Sequence, residues 1–114
     1  VTRVPDQVAV VIRQADAKNF MEGAEHCREY VRNAKLWFGT SVVPPHQRGE
    51  VDTGHSDSDE VFFCAEGHVL IFDGERYYEL AEKDALLIPP GLAHTIINIG
   101  DLPASVVWSG APGE

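Results

Sequence analysis

Residues 83–98 read KDALLIPPGLAHTIIN, and a second stretch, residues 49–67, reads GEVDTGHSDSDEVFFCAEG. In the first, the apolar run Ala85–Ile88 stops at Pro89-Pro90-Gly91, because proline lacks the N–H that a central strand needs for its ladder. A second apolar run over 93–99 follows, and alternation along a strand puts His94, Ile96 and Asn98 on one face. In the other stretch His55 and Asp57 stand two apart and can project together. Glu60 opens a strand over 60–65 in which Glu60, Phe62 and Cys64 share a face. Short strands of this kind, joined by tight turns, bring side chains that are distant in sequence to one interior.

The chain around these stretches is written in similar pieces. Compact apolar runs lie at 8–12, 30–31, 36–43, 69–72, 75–80 and 104–108. The run over 36–43 ends at Pro44-Pro45, and Asp73-Gly74 reads as a two-residue hairpin turn that favours positive φ. Turn residues recur about every ten positions and no long 3.6-residue period appears, which predicts an all-β barrel or sandwich. The helix candidate, 16–29, is interrupted by Gly23 and has no clean apolar stripe, so at most one short helical turn is expected there.

With 114 residues the chain has the size of one domain, read as 1–114, with amino-terminal strands and connections over 1–34 and a barrel core over 35–109. The formal net charge is −9, from 18 acidic and 9 basic residues, which argues against nucleic acid and anionic membrane surfaces as partners. No apolar run reaches the ~20 residues of a membrane helix, and Arg3, Pro5 and Asp6 break the amino terminus as a signal peptide. A cytoplasmic location is the expectation. Cys27 and Cys64 are too few and too far apart to suggest a disulfide framework, so both read as reduced thiols.

His55, Asp57, Glu60 and His94 together offer two imidazoles and two carboxylates. That hard, mixed nitrogen and oxygen set suits one divalent ion, Fe, Mn, Ni or Zn, and suits Cu(I) poorly.

The two stretches resemble the paired motifs of the cupin superfamily, G-x5-H-x-H-x3/4-E-x6-G and G-x5-P-x-G-x2-H-x3-N. Gly49, His55 and Glu60 to Gly67 follow the first, while Pro89, Gly91, His94 and Asn98 fit the second at every spacing. The resemblance implies a double-stranded β-helix, or jelly-roll barrel, and a metal held by the motif residues. Three departures stand out. Asp57 occupies the second histidine's place, only two residues separate it from Glu60, and Lys83 replaces the opening glycine of the second motif. Three outcomes follow: a site of His55, Glu60 and His94 without Asp57, a site of all four, or a loop too distorted to hold a metal.

His46, in the Pro-Pro-His-Gln-Arg loop, is the outside candidate for a general acid or base. Arg48 in the same loop is a candidate clamp for a substrate carboxylate. Phe62, Cys64, Ile96 and Asn98, with Trp37 or Trp108, are the expected pocket lining. The function expected is metal-dependent: a Lewis acid in isomerase, lyase or cyclase chemistry on a small carbonyl-, hydroxyl- or carboxylate-bearing molecule. A non-haem Fe(II) dioxygenase and a non-catalytic metal- or ligand-binding module are the alternatives. Short cupins commonly dimerise, and the run from Gln7 to Arg13 could add to the sheet edge of a second copy, so a homodimer is expected.

Overall fold

Two tryptophans and two glycines decide how the middle of the larger sheet is built. The computed structural model describes residues 8–113. Within them run β1 (Lys18–Glu22), β2 (Glu25–Arg32), β3 (Trp37–Val43), β4 (Asp59–Glu66), β5 (Val69–Phe72), β6 (Tyr77–Leu80), β7 (Ala85–Ile88), β8 (Thr95–Asn98) and β9 (Ala104–Ala111). A six-stranded sheet has the order β1-β2-β3-β9-β4-β7, and a three-stranded sheet the order β6-β5-β8. Every pairing between these strands is antiparallel. In β3 and β9 Trp37 stands opposite Gly110, and Gly39 stands opposite Trp108. Each indole lies over the strand beside it, in the space that a side chain at the facing glycine would need.

Alternation then sorts the side chains. Along β3 and β9 the odd-numbered and even-numbered positions respectively are buried, and β4 alternates likewise from Glu60. Trp37, Val43, Phe62, Ile71, Ile96 and Val106 are among the buried residues that fill the space between the sheets. Full burial of each such aliphatic or aromatic side chain contributes about 1.5–3 kcal/mol. Both cysteines are buried free thiols.

The segment over 47–52 belongs to no strand but runs alongside β8. Gly49 N–H donates to the Ile96 carbonyl at 2.9 Å, and Asn98 N–H donates to the Gln47 carbonyl at 2.9 Å. On its other side, Ala24 N–H donates to the Arg48 carbonyl and Glu50 N–H to the Glu22 carbonyl, both at 3.1 Å. The β1–β2 turn is thereby fastened over one end of the interior.

Three expectations from the sequence are corrected. The region over 16–29 is a β-hairpin, β1 and β2, preceded by a single 3-10 turn at Gln14–Asp16. Gly23, at φ 61°, supplies the reversal that a helix would not tolerate. The run over 8–12 forms no strand, and Val8 is 77% exposed, because β-branched residues need a neighbouring edge to become one. Gln7, which began the proposed edge strand, lies outside the described residues. The turn at Asp73-Gly74 closes on the pair Phe72 and Tyr77, so its loop has four residues, and Asp73 Oδ1 accepts from the N–H groups of Glu75 and Arg76 at 2.9 and 2.7 Å. Lys83, the departure from the family glycine, takes φ 73°, a left-handed conformation that costs a side-chain-bearing residue about 1–2 kcal/mol.

The tryptophan–glycine pairing makes a direct prediction. Gly110→Ala places a methyl group inside the Trp37 indole and is expected to destabilise the protein by about 2–3 kcal/mol. Urea unfolding measures this, and a variant with an unchanged midpoint contradicts the packing described.

Candidate metal centre

His94 begins the site because the chain holds it on both sides. Its N–H donates to the Asp52 carbonyl at 2.9 Å, and Asp52 N–H donates to the His94 carbonyl at 2.8 Å. This reciprocal pair fixes Asp52 directly across from His94. Gly54, at φ 89°, lets the chain turn back at once, and its N–H donates to Asp52 Oδ1 at 2.8 Å. With Oδ1 engaged, Oδ2 is left 3.9 Å from His94 Nε2 and 4.0 Å from His55 Nε2.

Glu60, at the start of β4, completes the group. Trp37 Nε1–H donates to its Oε2 at 3.4 Å. Its Oε1 lies 3.2 Å from His94 Nε2 and 4.0 Å from His55 Nε2. Glu60 and His94 are 4% and 3% exposed, yet Glu60 Oε1 and His94 Nε2 have no hydrogen-bond partner. Burying such atoms unsatisfied is costly unless a ligand completes them.

Each imidazole is held from outside the group. His94 Nδ1 donates to the Leu92 carbonyl at 2.9 Å, because a carbonyl can only accept, and this turns Nε2 inward. Phe62 meets the same ring edge-on at 5.3 Å between centres, and Trp37 lies against the His55 ring at 4.3 Å. Donor atoms around one ion at about 2.1 Å stand roughly 3.0–3.4 Å apart. Asp52, His55 and Glu60 bring ligand atoms within 4.8 Å of one another, and His94 Nε2 stands 3.2 Å from Glu60 and 3.9 Å from Asp52. Two imidazoles and two carboxylates also match the hard or borderline divalent ions in chemistry.

Asp57, expected in this group, is exposed, and its Oδ2 accepts from the Ser56 hydroxyl at 3.5 Å. The carboxylate beside the histidines is that of Asp52, which the sequence reading passed over. The spacing held the signal. Four residues separate His55 from Glu60, the gap the motif allows after its second histidine, and Glu60-x6-Gly67 continues it. In that register the apparent shortening disappears, the first histidine's place falls on Thr53, and Asp52 lies next to it.

His46 and Arg48 are both exposed, and neither lines the cavity over this group. His46 Nε2 instead faces Asp101 at 2.7 Å. Of the expected lining, Phe62, Ile96, Trp37 and Trp108 border the cavity. Cys64 is buried elsewhere, with its thiol near the Glu66 and Gly67 carbonyls. Asn98 is a structural hub that donates to the Val43 and Leu102 carbonyls and accepts from Gly100 N–H.

The remaining wall is acidic. The cavity spans about 480 Å³ with its mouth and is bordered also by Glu22, Glu25, Glu29 and Glu50. Burial, followed by repulsion from Glu25, Asp52, Glu50 and Glu60, pushes the Glu22 carboxyl up to about 7. Burial likewise raises Glu25 against the opposing effect of the Ser41 hydroxyl, which donates to it at 2.5 Å. Desolvation depresses the His94 imidazole, but the Glu60 carboxylate beside it and its hydrogen bond to the Leu92 carbonyl outweigh that and leave it raised. All three groups hold protons in the folded state that the unfolded chain releases at lower pH. Their contribution is complete below the unfolded values and is lost as pH rises through the folded ones. In chelator-treated protein the urea midpoint is therefore expected to fall between pH 4.5 and 7.5, and Glu22→Gln to flatten part of that fall. A variant with the parent's full slope contradicts the assignment to Glu22.

Comparison with known proteins agrees with this architecture. An uncharacterized protein of Methanocaldococcus jannaschii, MJ1618, is 31% identical over 58 residues, which cover 51% of this chain. The chain spans about half the length of that relative, 46%. A predicted oxalate decarboxylase of Thermotoga maritima superposes with a TM-score of 0.75 at 14% identity, covering 90% of this chain and 99% of its own. KdgF from a Halomonas species superposes at 0.74 with 12% identity, covering 92% and 96%. A cupin-superfamily sugar phosphate isomerase of Silicibacter pomeroyi gives 0.69 at 14% identity, covering 90% and 75%. Likeness at these identities shows the double-stranded β-helix fold. The Cupin domain profile matches residues 39–110, which include all four residues of the group and both motif stretches, and the chain belongs to that family.

Proposed function

We propose that this cupin is a metal-dependent enzyme acting on a small organic molecule, with one divalent ion held by Asp52, His55, Glu60 and His94. The observation that carries the reading is the convergence of four donor atoms, two of them buried without a hydrogen-bond partner. An ion there supplies Lewis-acid polarisation of a carbonyl or hydroxyl, which suits isomerisation, elimination or cyclisation. The described relatives, a sugar phosphate isomerase and a predicted oxalate decarboxylase, support chemistry of that kind on this fold.

The residues around the donors serve three ends. The Leu92 carbonyl and Gly54 N–H orient His94 and Asp52 before anything binds. Phe62, Trp37, Ile96 and Trp108 surround the group with apolar surface and limit water. Proton transfer falls to Glu25 in this reading. It is buried with its carboxyl above the usual range, and the chain from Trp108 Nε1–H through the Ser41 hydroxyl at 2.8 and 2.5 Å holds it in one orientation. His46 has no place in this chemistry, since it faces Asp101 outside the cavity.

Metal analysis after reconstitution with Zn(II), Mn(II) or Fe(II) tests the assignment. Asp52→Ala is expected to weaken binding by about a hundredfold or more, since even outer-shell losses cost 10–100-fold. Asp57→Ala is expected to leave it unchanged. Wild-type protein that takes up none of the three ions, or an Asp57→Ala variant that loses them, overturns the site.

A further inference from the structure

The cavity over the metal donors is lined by six carboxyl groups, those of Glu22, Glu25, Glu29, Glu50, Asp52 and Glu60, against one guanidinium, that of Arg32. Arg32 Nε donates to Glu29 at 2.9 Å, and its guanidinium also lies 5.4 Å from the Trp37 ring centre, so that cation is engaged within the wall. Lys18, whose Nζ lies 5.8 Å from the Phe20 ring centre, is not part of the lining. A divalent ion would offset Asp52 and Glu60, and Glu25 is engaged by the Ser41 hydroxyl, which donates to it at 2.5 Å. Glu22 and Glu50 remain. They are joined where Glu50 N–H donates to the Glu22 carbonyl, and that junction is tied to the β1–β2 turn.

That the cavity takes a ligand rests on an observation independent of its charge: the buried, unpartnered Glu60 Oε1 and His94 Nε2 belong to its wall. An anionic substrate entering it passes Glu22 and Glu50 with no described cation of the lining outside the Arg32–Glu29 pair. A cationic one relieves the repulsion that those carboxylates exert on each other. The rings of Phe20 and Trp108 in the same wall offer apolar contact to the carbon frame beside the charge.

We propose that the cavity selects a small amine-bearing substrate, whose protonated amine is held by Glu22 and Glu50 while its carbonyl or hydroxyl faces Asp52, His55, Glu60 and His94. The inference rests on the metal reading for the second half of that contact only. It replaces the carboxylate clamp expected at Arg48, which lies outside the cavity.

Three probes of one shape test it: benzylamine, benzyl alcohol and benzoate, titrated calorimetrically at pH 8 into chelator-treated and Zn(II)-reconstituted protein. Metal content is measured on the same samples. The cation is expected to bind at least about tenfold more tightly than the alcohol and the acid, a difference of ~1.4 kcal/mol. In the double variant Glu22→Gln, Glu50→Gln that preference is expected to shrink to about twofold or less, with the unfolding midpoint at or above the parent's because two repelling charges are removed. Benzoate binding as tightly as benzylamine overturns the inference, as does a preference that survives the double variant. Normal zinc uptake without cation preference sinks this inference alone. Cation preference in protein that takes up no zinc supports the acidic wall and sinks the metal reading instead.

Discussion

The reciprocal pair of backbone hydrogen bonds between Asp52 and His94 is the constraint on which the site depends. The segment that carries Asp52 has no strand of its own. It keeps its place because β8 receives it on one side and the β1–β2 turn on the other. Without that pairing Asp52 Oδ2 has no fixed position relative to His94, and the loop through His55 loses its direction. Everything downstream, including the turn at Gly54 and the stacking of His55 on Trp37, is built on this junction.

Trp37 links the site to the core. Its ring occupies the space left by Gly110, one face of it meets the His55 imidazole, and its N–H reaches Glu60 Oε2. A residue that sets the packing of β3 on β9 thus also aims a carboxylate. Burial in the same region raises Glu22 and Glu25, with repulsion from neighbouring carboxylates adding to it, while Glu60 and the Leu92 carbonyl raise His94 against its own desolvation. The site is electrostatically strained without a cation, and it sits on a well-packed part of the barrel. That combination is what a pre-organised ion site requires, since the folding of the surroundings holds like charges close before the ion arrives.

The fold was legible because proline, glycine and alternation punctuate the chain: Pro44-Pro45, Pro89-Pro90 and the alternating β4 each carry their own local signal. His55, Glu60 and His94 were legible for the same reason, since strand parity and motif spacing put them on facing elements. The β1–β2 hairpin was not, because EGAEHCREY carries polar residues on the cavity side, where Glu22 and Glu25 point into an acidic interior and mask the usual apolar period. Asp52 was missed through register: its place is set by backbone pairing with His94, a contact across 42 positions that no local pattern announces. His46 and Arg48 drew notice as chemically capable residues near a barrel mouth. Their loop, however, turns their side chains to solvent.

The central claim is that Asp52, His55, Glu60 and His94 hold one divalent ion. A second grouping, Glu22, Glu25 and Cys27, brings possible ligand atoms within 4.8 Å of one another as Asp52, His55 and Glu60 do, and it offers sulfur. X-ray absorption spectroscopy of the Zn(II)-reconstituted protein separates the two directly. The account predicts a first shell of nitrogen and oxygen alone, with the outer-shell scattering of two imidazoles. A Zn–S distance near 2.3 Å, or a shell with no imidazole, would contradict it.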